Sequence, residues 1–116
     1  MDVNPFKLSG STDGRPIAVA ATSSPGTTIH TAQSTTDDRY DWVELSFNNI
    51  DSVSRNLTIE WGGTSASDRI MDAVPIPANS PQFTLPPRPL RNGLLIKAYG
   101  SAASIFNISG RVLRQS

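Results

Sequence analysis

Short runs of alternating apolar and polar residues, broken by turn residues, dominate this chain. No window of about eleven residues keeps apolar positions at helical spacing without a Pro or Gly nearby. The clearest run is Trp42-Val43-Glu44-Leu45-Ser46-Phe47-Asn48. Successive strand side chains point to opposite faces, so Val43, Leu45 and Phe47 share a core face, with Trp42, Glu44, Ser46 and Asn48 on the other. Arg55 to Trp61 repeats the pattern, with Leu57, Ile59 and Trp61 inward and Thr58 and Glu60 outward. The short polar connection Asn49 to Ser54 predicts that these two strands form a hairpin.

Further runs complete an all-β reading. Asp68 to Ile76 alternates Ile70, Val74 and Ile76 and ends at Pro77. Gln82 to Leu85 sits between Pro81 and Pro86-Pro87, which cannot donate to a ladder, so it is expected at an edge. Arg91-Asn92-Gly93 marks a turn into Leu94 to Tyr99. In the last run, Ser104 to Leu113, Phe106, Ile108 and Val112 share a face, and Gly110 signals a bulge or a close backbone approach. Near the start, Pro16 to Ala21 and Thr27 to Thr31 flank a Ser23 to Gly26 turn. Being Ala- and Thr-rich they bury little, so Ile17, Val19 and Ile29 are expected at an edge or against a neighbouring subunit. The sum is an antiparallel β-sandwich or jelly roll of about eight strands. With 116 residues the chain makes one domain, 1–116, of which 1–14 read as an extended N-terminal arm.

Composition narrows the function. A hydrophobic fraction of 37% suits thin layers with one wet face each. Charged residues are only 17% and the net charge is zero, so nothing steers the chain toward nucleic acid or an anionic membrane. Neutrality also removes the repulsion that keeps copies apart. The absence of cysteine excludes disulfides and thiol nucleophiles. The start, Met1-Asp2-Val3-Asn4-Pro5, shows no signal peptide, and no stretch approaches the roughly 18 apolar residues of a membrane span.

Candidate chemistry is sparse, and no enzyme, cofactor or metal site is expected. The single histidine, His30, lies in a Thr-rich strand without a recognisable nucleophile motif, and reads as a surface or hydrogen-bonded strand residue. Asp37, Asp38 and Asp41 cluster before the Trp42 strand but lack the ligand spacing and central Gly of a calcium loop. Outward Glu44 and Glu60 are expected opposite basic residues on neighbouring strands. Gly62-Gly63 lacks the Lys and helix of a phosphate cradle. Pro86-Pro87-Arg88-Pro89-Leu90-Arg91 resembles a proline-rich ligand segment and reads as a stiff connector. Asn56-Leu57-Thr58 and Asn107-Ile108-Ser109 match glycosylation triplets, but within predicted strands and without a secretion signal. What remains is surface: an outward Trp42 preceded by Tyr40, either a binding platform or a residue covered by the Ser34 to Asp41 loop.

One resemblance extends this reading. Asn56 to Gly63, then Val74-Pro75-Ile76-Pro77, Leu90 to Tyr99 and Asn107 to Arg114 follow in an order that resembles small virion proteins of tailed bacteriophages. These are β-sandwiches that decorate or cement the capsid or sit elsewhere on the virion. The likeness covers roughly residues 42 to 114 and carries over no catalytic residue. It implies a capsid decoration or cement protein, assembled in a host cytoplasm and located in the virion. Its implied partners are the major capsid protein, or another virion protein, and copies of itself as a trimer. Ile17, Val19, Ile29, Tyr40 and Trp42 would then be contact residues. The alternative is a receptor- or carbohydrate-binding module of a tail or baseplate, using Tyr40 and Trp42.

Overall fold

The alternation along the chain is realised as ten strands in a computed structural model that describes residues 2–116. In chain order they are β1 (Val3–Phe6), β2 (Ile17–Ala18), β3 (Thr27–Thr31), β4 (Asp41–Asn49), β5 (Arg55–Trp61), β6 (Arg69–Ile76), β7 (Phe83–Thr84), β8 (Arg88–Leu90), β9 (Leu95–Gly100) and β10 (Phe106–Gln115). A single 3-10 turn, Ala66–Asp68, is the only helix among the described residues, and no helix is long and apolar enough to cross a membrane.

The strands form two antiparallel sheets. In the first, β10 and β4 lie at the centre; β1 and β2 share the outer side of β10, while β7 and β8 share the outer side of β4. The second runs β3-β9-β5-β6. Residue pairs across the two sheets are nested: Ile17 with Ile108, Thr28 with Lys97, Trp42 with Pro89, Leu57 with Val74. The chain is therefore one long hairpin with its tip between β5 and β6, rolled up until β4 also meets β10 and β5 also meets β9. That arrangement is a jelly roll.

The expected β4–β5 hairpin does not form, because the two strands belong to different sheets. Asn49 directs the crossing. Its Nδ2 donates to the carbonyls of Val53 (3.0 Å) and Ile76 (3.1 Å), and its Oδ1 accepts from the Asp51 N–H at 2.8 Å. A buried amide satisfied on both sides lets the backbone leave one layer for the other without an orphaned polar group. The crossing sets Val43, Leu45 and Phe47 of one sheet against the layer that carries Leu57 and Ile59, which is what the alternation of both strands demands.

The core is completed by Phe106, Ile108 and Val112 from β10, Ile96 and Ala98 from β9, and three residues expected elsewhere. Ile17, Val19 and Ile29 are not subunit contacts: they are 9%, 0% and 0% exposed and belong to this domain's own core. Their Ala- and Thr-rich neighbours concealed them, since a two-residue strand such as β2 offers no alternation to read. Residues 3–14 likewise do not leave the domain as an arm. β1 pairs with the end of β10 from Val3↔Gln115 to Phe6↔Val112, and Leu8 is buried in the core.

Gly110 marks a close approach and not a bulge. The β10–β4 register is unbroken from Phe106↔Asn49 to Arg114↔Asp41, and a Cβ at Gly110 would overlap the Glu44 carbonyl oxygen. Because backbone and not a flexible side chain blocks the space, Gly110→Ala is expected to cost about 2 kcal/mol or more. Urea unfolding should show a lower midpoint at unchanged slope; a midpoint equal to that of the parent chain would contradict the packing described.

Candidate functional site

Two groups of residues merit attention: a buried ionic cluster inside the sandwich, and an aromatic surface outside it. The cluster forms where β3 of one sheet faces β4 and β10 of the other. Asp41, first residue of β4, points inward with Val43 and Leu45 and is 0% exposed. Arg114 of β10, its register partner, donates through Nε to Oδ1 (2.7 Å) and through Nη2 to Oδ2 (2.9 Å). From the opposite sheet, His30 Nε2 donates to Oδ2 at 2.8 Å, and the Gln33 N–H adds a bond at 3.2 Å.

The histidine tautomer follows from its other nitrogen. Nδ1 accepts the Ser9 backbone N–H at 3.0 Å, so the ring's proton sits on Nε2, toward Asp41. A carboxylate orienting an imidazole is the supporting half of a nucleophilic triad. Here, however, the ring is 1% exposed and its far nitrogen is occupied by a main-chain N–H. The Ser9 hydroxyl faces elsewhere, accepting from the Thr31 N–H at 2.7 Å. The dyad therefore joins two sheets and presents nothing to a substrate. Among the described residues, no three of His, Cys, Asp or Glu gather as metal ligands would.

Burial lowers the His30 pKa from its ordinary range, assisted by Arg114 and Lys7 and opposed by the hydrogen bond and charge of Asp41. Burial works against ionised Asp41, yet the Arg114 and His30 bonds outweigh it and hold the carboxyl below the usual carboxylate range.

Glu60 stands opposite basic residues as expected, Lys97 on β9 and Arg69 on β6, but its face is covered and it is fully buried. Its Oε2 accepts from Ser24 Oγ (2.7 Å) and its Oε1 from the Gly26 N–H (3.1 Å). The Ser23 to Gly26 turn folds over this face of the second sheet and covers it. Thr58, also expected outside, is buried and accepts the Ala73 N–H at 2.9 Å. Glu44 does face outward, toward Arg111 at 3.4 Å. The acidic loop splits: Asp37 pairs with Arg39 at 2.9 Å on the surface, whereas Asp41 enters the core.

Outside, the register of the first sheet lines up Pro5, Leu113, Trp42 and Pro89 as one row across four strands, because directly paired residues share a face. Trp42 is 37% exposed, so the preceding loop does not cover it. Tyr40 lies beside it, ring centroids 6.5 Å apart and planes at 60°. Arg91 stacks on the Tyr40 ring at 4.8 Å and reaches the Asp37 carbonyl. Of the five predicted contact residues, Tyr40 and Trp42 thus come together at the surface; Ile17, Val19 and Ile29 do not join them. Sequence reasoning missed Pro5, Leu113, Pro89 and Arg91, which only strand register brings to Trp42. The Pro86 to Arg91 run, read as a connector, contributes β8 to this row. A separate apolar groove of about 510 Å³ opens between β6 and β7, lined by Phe47, Met71, Val74, Phe83 and Leu85 among others.

Comparison with known proteins adds no identification: no family model, no curated protein and no solved structure matches the chain.

Removing the Asp41 carboxylate leaves Arg114 and His30 without their acceptor. Breaking such a pair costs about 3–5 kcal/mol. Because the Arg114 side chain is 30% exposed and can turn to water, Asp41→Ala is expected near the lower end, about 3 kcal/mol, by urea unfolding. The pH dependence has a definite sign. The unfolded His30 takes up a proton near pH 6.5 while the folded one resists, so stability is fully present above about pH 6.5. It falls as the pH drops from there toward the lowered folded value. Asp41's contribution persists lower, since its folded carboxyl ionises below the ordinary range, and is lost only as the pH falls through that range. Urea midpoints measured from pH 8 to pH 4 should therefore begin to decline below about 6.5; a flat profile down to pH 4.5 would contradict a neutral buried His30.

Proposed function

We propose that the chain is a non-catalytic structural protein of a tailed-bacteriophage virion, a decoration or cement subunit that binds the capsid and its own copies through the outer face of the first sheet. The observation that carries this reading is the aromatic and apolar row Pro5–Leu113–Trp42–Pro89 with Tyr40 at its side, set on rigid, paired strands. Exposed apolar surface on a well-ordered sheet marks a contact surface. The jelly-roll winding is shared by viral capsid and lectin domains, an argument from fold analogy alone. Strand-and-turn resemblance over residues 42 to 114 points the same way. Zero net charge lets many copies lie side by side without repulsion. Symmetry then multiplies modest contacts, so each copy needs only a small interface with the major capsid protein and its neighbours in a trimer.

A second reading, a glycan- or receptor-binding module of a tail or baseplate, is favoured by one specific feature. Tyr40 and Trp42 stand as a tilted aromatic pair beside Arg91 and the exposed carboxylates Asp37 and Asp38, a combination suited to stacking on a sugar ring while bonding its hydroxyls.

Co-sedimentation with capsids of the phage that encodes the chain tests the first reading. The parent protein is expected to bind, and Trp42→Glu to weaken binding about tenfold or more, as an aromatic anchor does when a charge replaces it. A protein that stays monomeric at high concentration and never pellets with capsids defeats it. A glycan array on which the parent binds and Trp42→Ala does not would favour the second.

A further inference from the structure

The segment between β1 and β2, both strands of the first sheet, reaches over to β3 at the edge of the second sheet before returning. It lies along β3: the Gly10 N–H donates to the Ile29 carbonyl at 3.0 Å, and the Thr31 N–H donates to Ser9 Oγ at 2.7 Å. A Cβ at Gly10 would come within 2.7 Å of the Ile29 and Thr28 carbonyl oxygens, so the strap fits against β3 backbone to backbone. Leu8, 1% exposed, plugs the core beside it. Beyond this stretch, the strap's contacts with β3 end, and the chain before it is held separately by the first sheet, through the β1–β10 ladder and Arg114 stacked on Phe6. All four residues of β1 are exposed, and its ladder pairs only with Val112 to Gln115 at the end of β10.

Its central bond is the one from the Ser9 N–H to His30 Nδ1. This bond exists only while that nitrogen carries a lone pair. A proton placed there turns the acceptor into a donor facing another donor, which removes the bond and adds repulsion. The charged groups around the ring come from every side. Asp41 on β4 favours the cation, but its two oxygens are already held by Arg114 from β10. Arg114 itself and Lys7 on the strap oppose it. The strap thus carries both the N–H that rejects a protonated ring and a cation that rejects its charge.

We propose that His30 is an acid-operated latch: protonation at Nδ1 releases the strap of residues 7–11 from β3, uncovering the edge of the second sheet and the seat of Leu8 while the rest of the jelly roll stays folded. This rests on the hydrogen-bond geometry of His30 and is independent of the virion reading. Neutral His30 keeps the strap closed; each opening leaves the ring free to bind a proton in water. For one such proton, the opening constant rises by up to about 30-fold between pH 7.5 and pH 5.0.

Amide hydrogen exchange of the full chain, followed by nuclear magnetic resonance and corrected for the intrinsic effect of pH, tests this. The Ser9, Gly10 and Thr31 amides are expected to lose protection by that factor and to be less protected at every pH than the Val43, Leu45 and Ile108 amides, which open only with the whole fold. Imidazole nitrogen shifts should show the proton on Nε2 at pH 7.5. Strap amides whose protection is unchanged across the range overturn the latch, as do strap amides no less protected than those of the core, which would be ordinary unfolding. His30→Gln keeps a polar side chain but cannot titrate, and its strap amides are expected to lose the pH dependence. A folded His30→Gln chain with the parent's profile also overturns the proposal, and should that variant not fold, exchange in the parent chain decides alone.

Discussion

The two ends of β4 hold the molecule together. This strand is polar, apolar, polar along its inward face: Asp41 and Asn49 at the ends, Val43, Leu45 and Phe47 between them. Buried polar groups cost several kcal/mol unless paired, so both ends must find partners. Asp41 finds His30 on β3, and Asn49 finds the Ile76 carbonyl on β6. Those are opposite edges of the second sheet. Four strands spaced about 4.8 Å apart put the edges roughly 14 Å from each other, whereas the nine residues of β4 span roughly 26 Å. A strand that touches both must cross at about 30°, the angle at which twisted sheets pack. The two polar residues therefore register the layers against each other, a task that the non-directional apolar core between them cannot perform.

This division explains what the residues disclosed. Alternation reports which side chains share a face, so β4, β5, β6, β9 and β10 were legible, as was the edge position of β7 between its prolines. Alternation does not report what lies over the other face. Thr58 and Glu60 alternate with Leu57 and Ile59 in the ordinary half-buried manner, yet both are buried, Thr58 under the Ala73 N–H that it accepts and Glu60 under the Ser23 to Gly26 turn. The Glu60 partner lies 36 residues away, and the His30 partner 11, separations that leave no local signature. The same limit applied at the surface. Trp42 and Tyr40 stand together in sequence and were found, whereas Leu113, Pro89 and Pro5 join them only through three separate ladders.

Arg114 links the inner and outer worlds of this end of the sandwich. Its guanidinium closes the Asp41 carboxylate from the first sheet and, at 4.7 Å, also covers the Phe6 ring of β1, which is 46% exposed. The planar, always-charged group is suited to both tasks, bidentate toward the carboxylate and stacked on the aromatic. The edge strand that carries Pro5 into the surface row is thereby seated on the same residue that neutralises the core.

The nested pairing also has a kinetic meaning. Taken singly, a contact such as Ile17 with Ile108 closes nearly the whole chain into a loop, and sheets built from such contacts fold slowly. Taken in order, no large loop is ever closed. Once β5 and β6 meet around their short turn, the ends that must find each other next are already near, first β4 with β7 and β8, then β3 with β9, then β2 with β10. The entropy of each step is that of a short closure, and the roll advances like a zip from its tip toward the chain ends. β1 and the strap lie outside the last tooth. In that nesting they depend on every earlier pair, and no earlier pair depends on them.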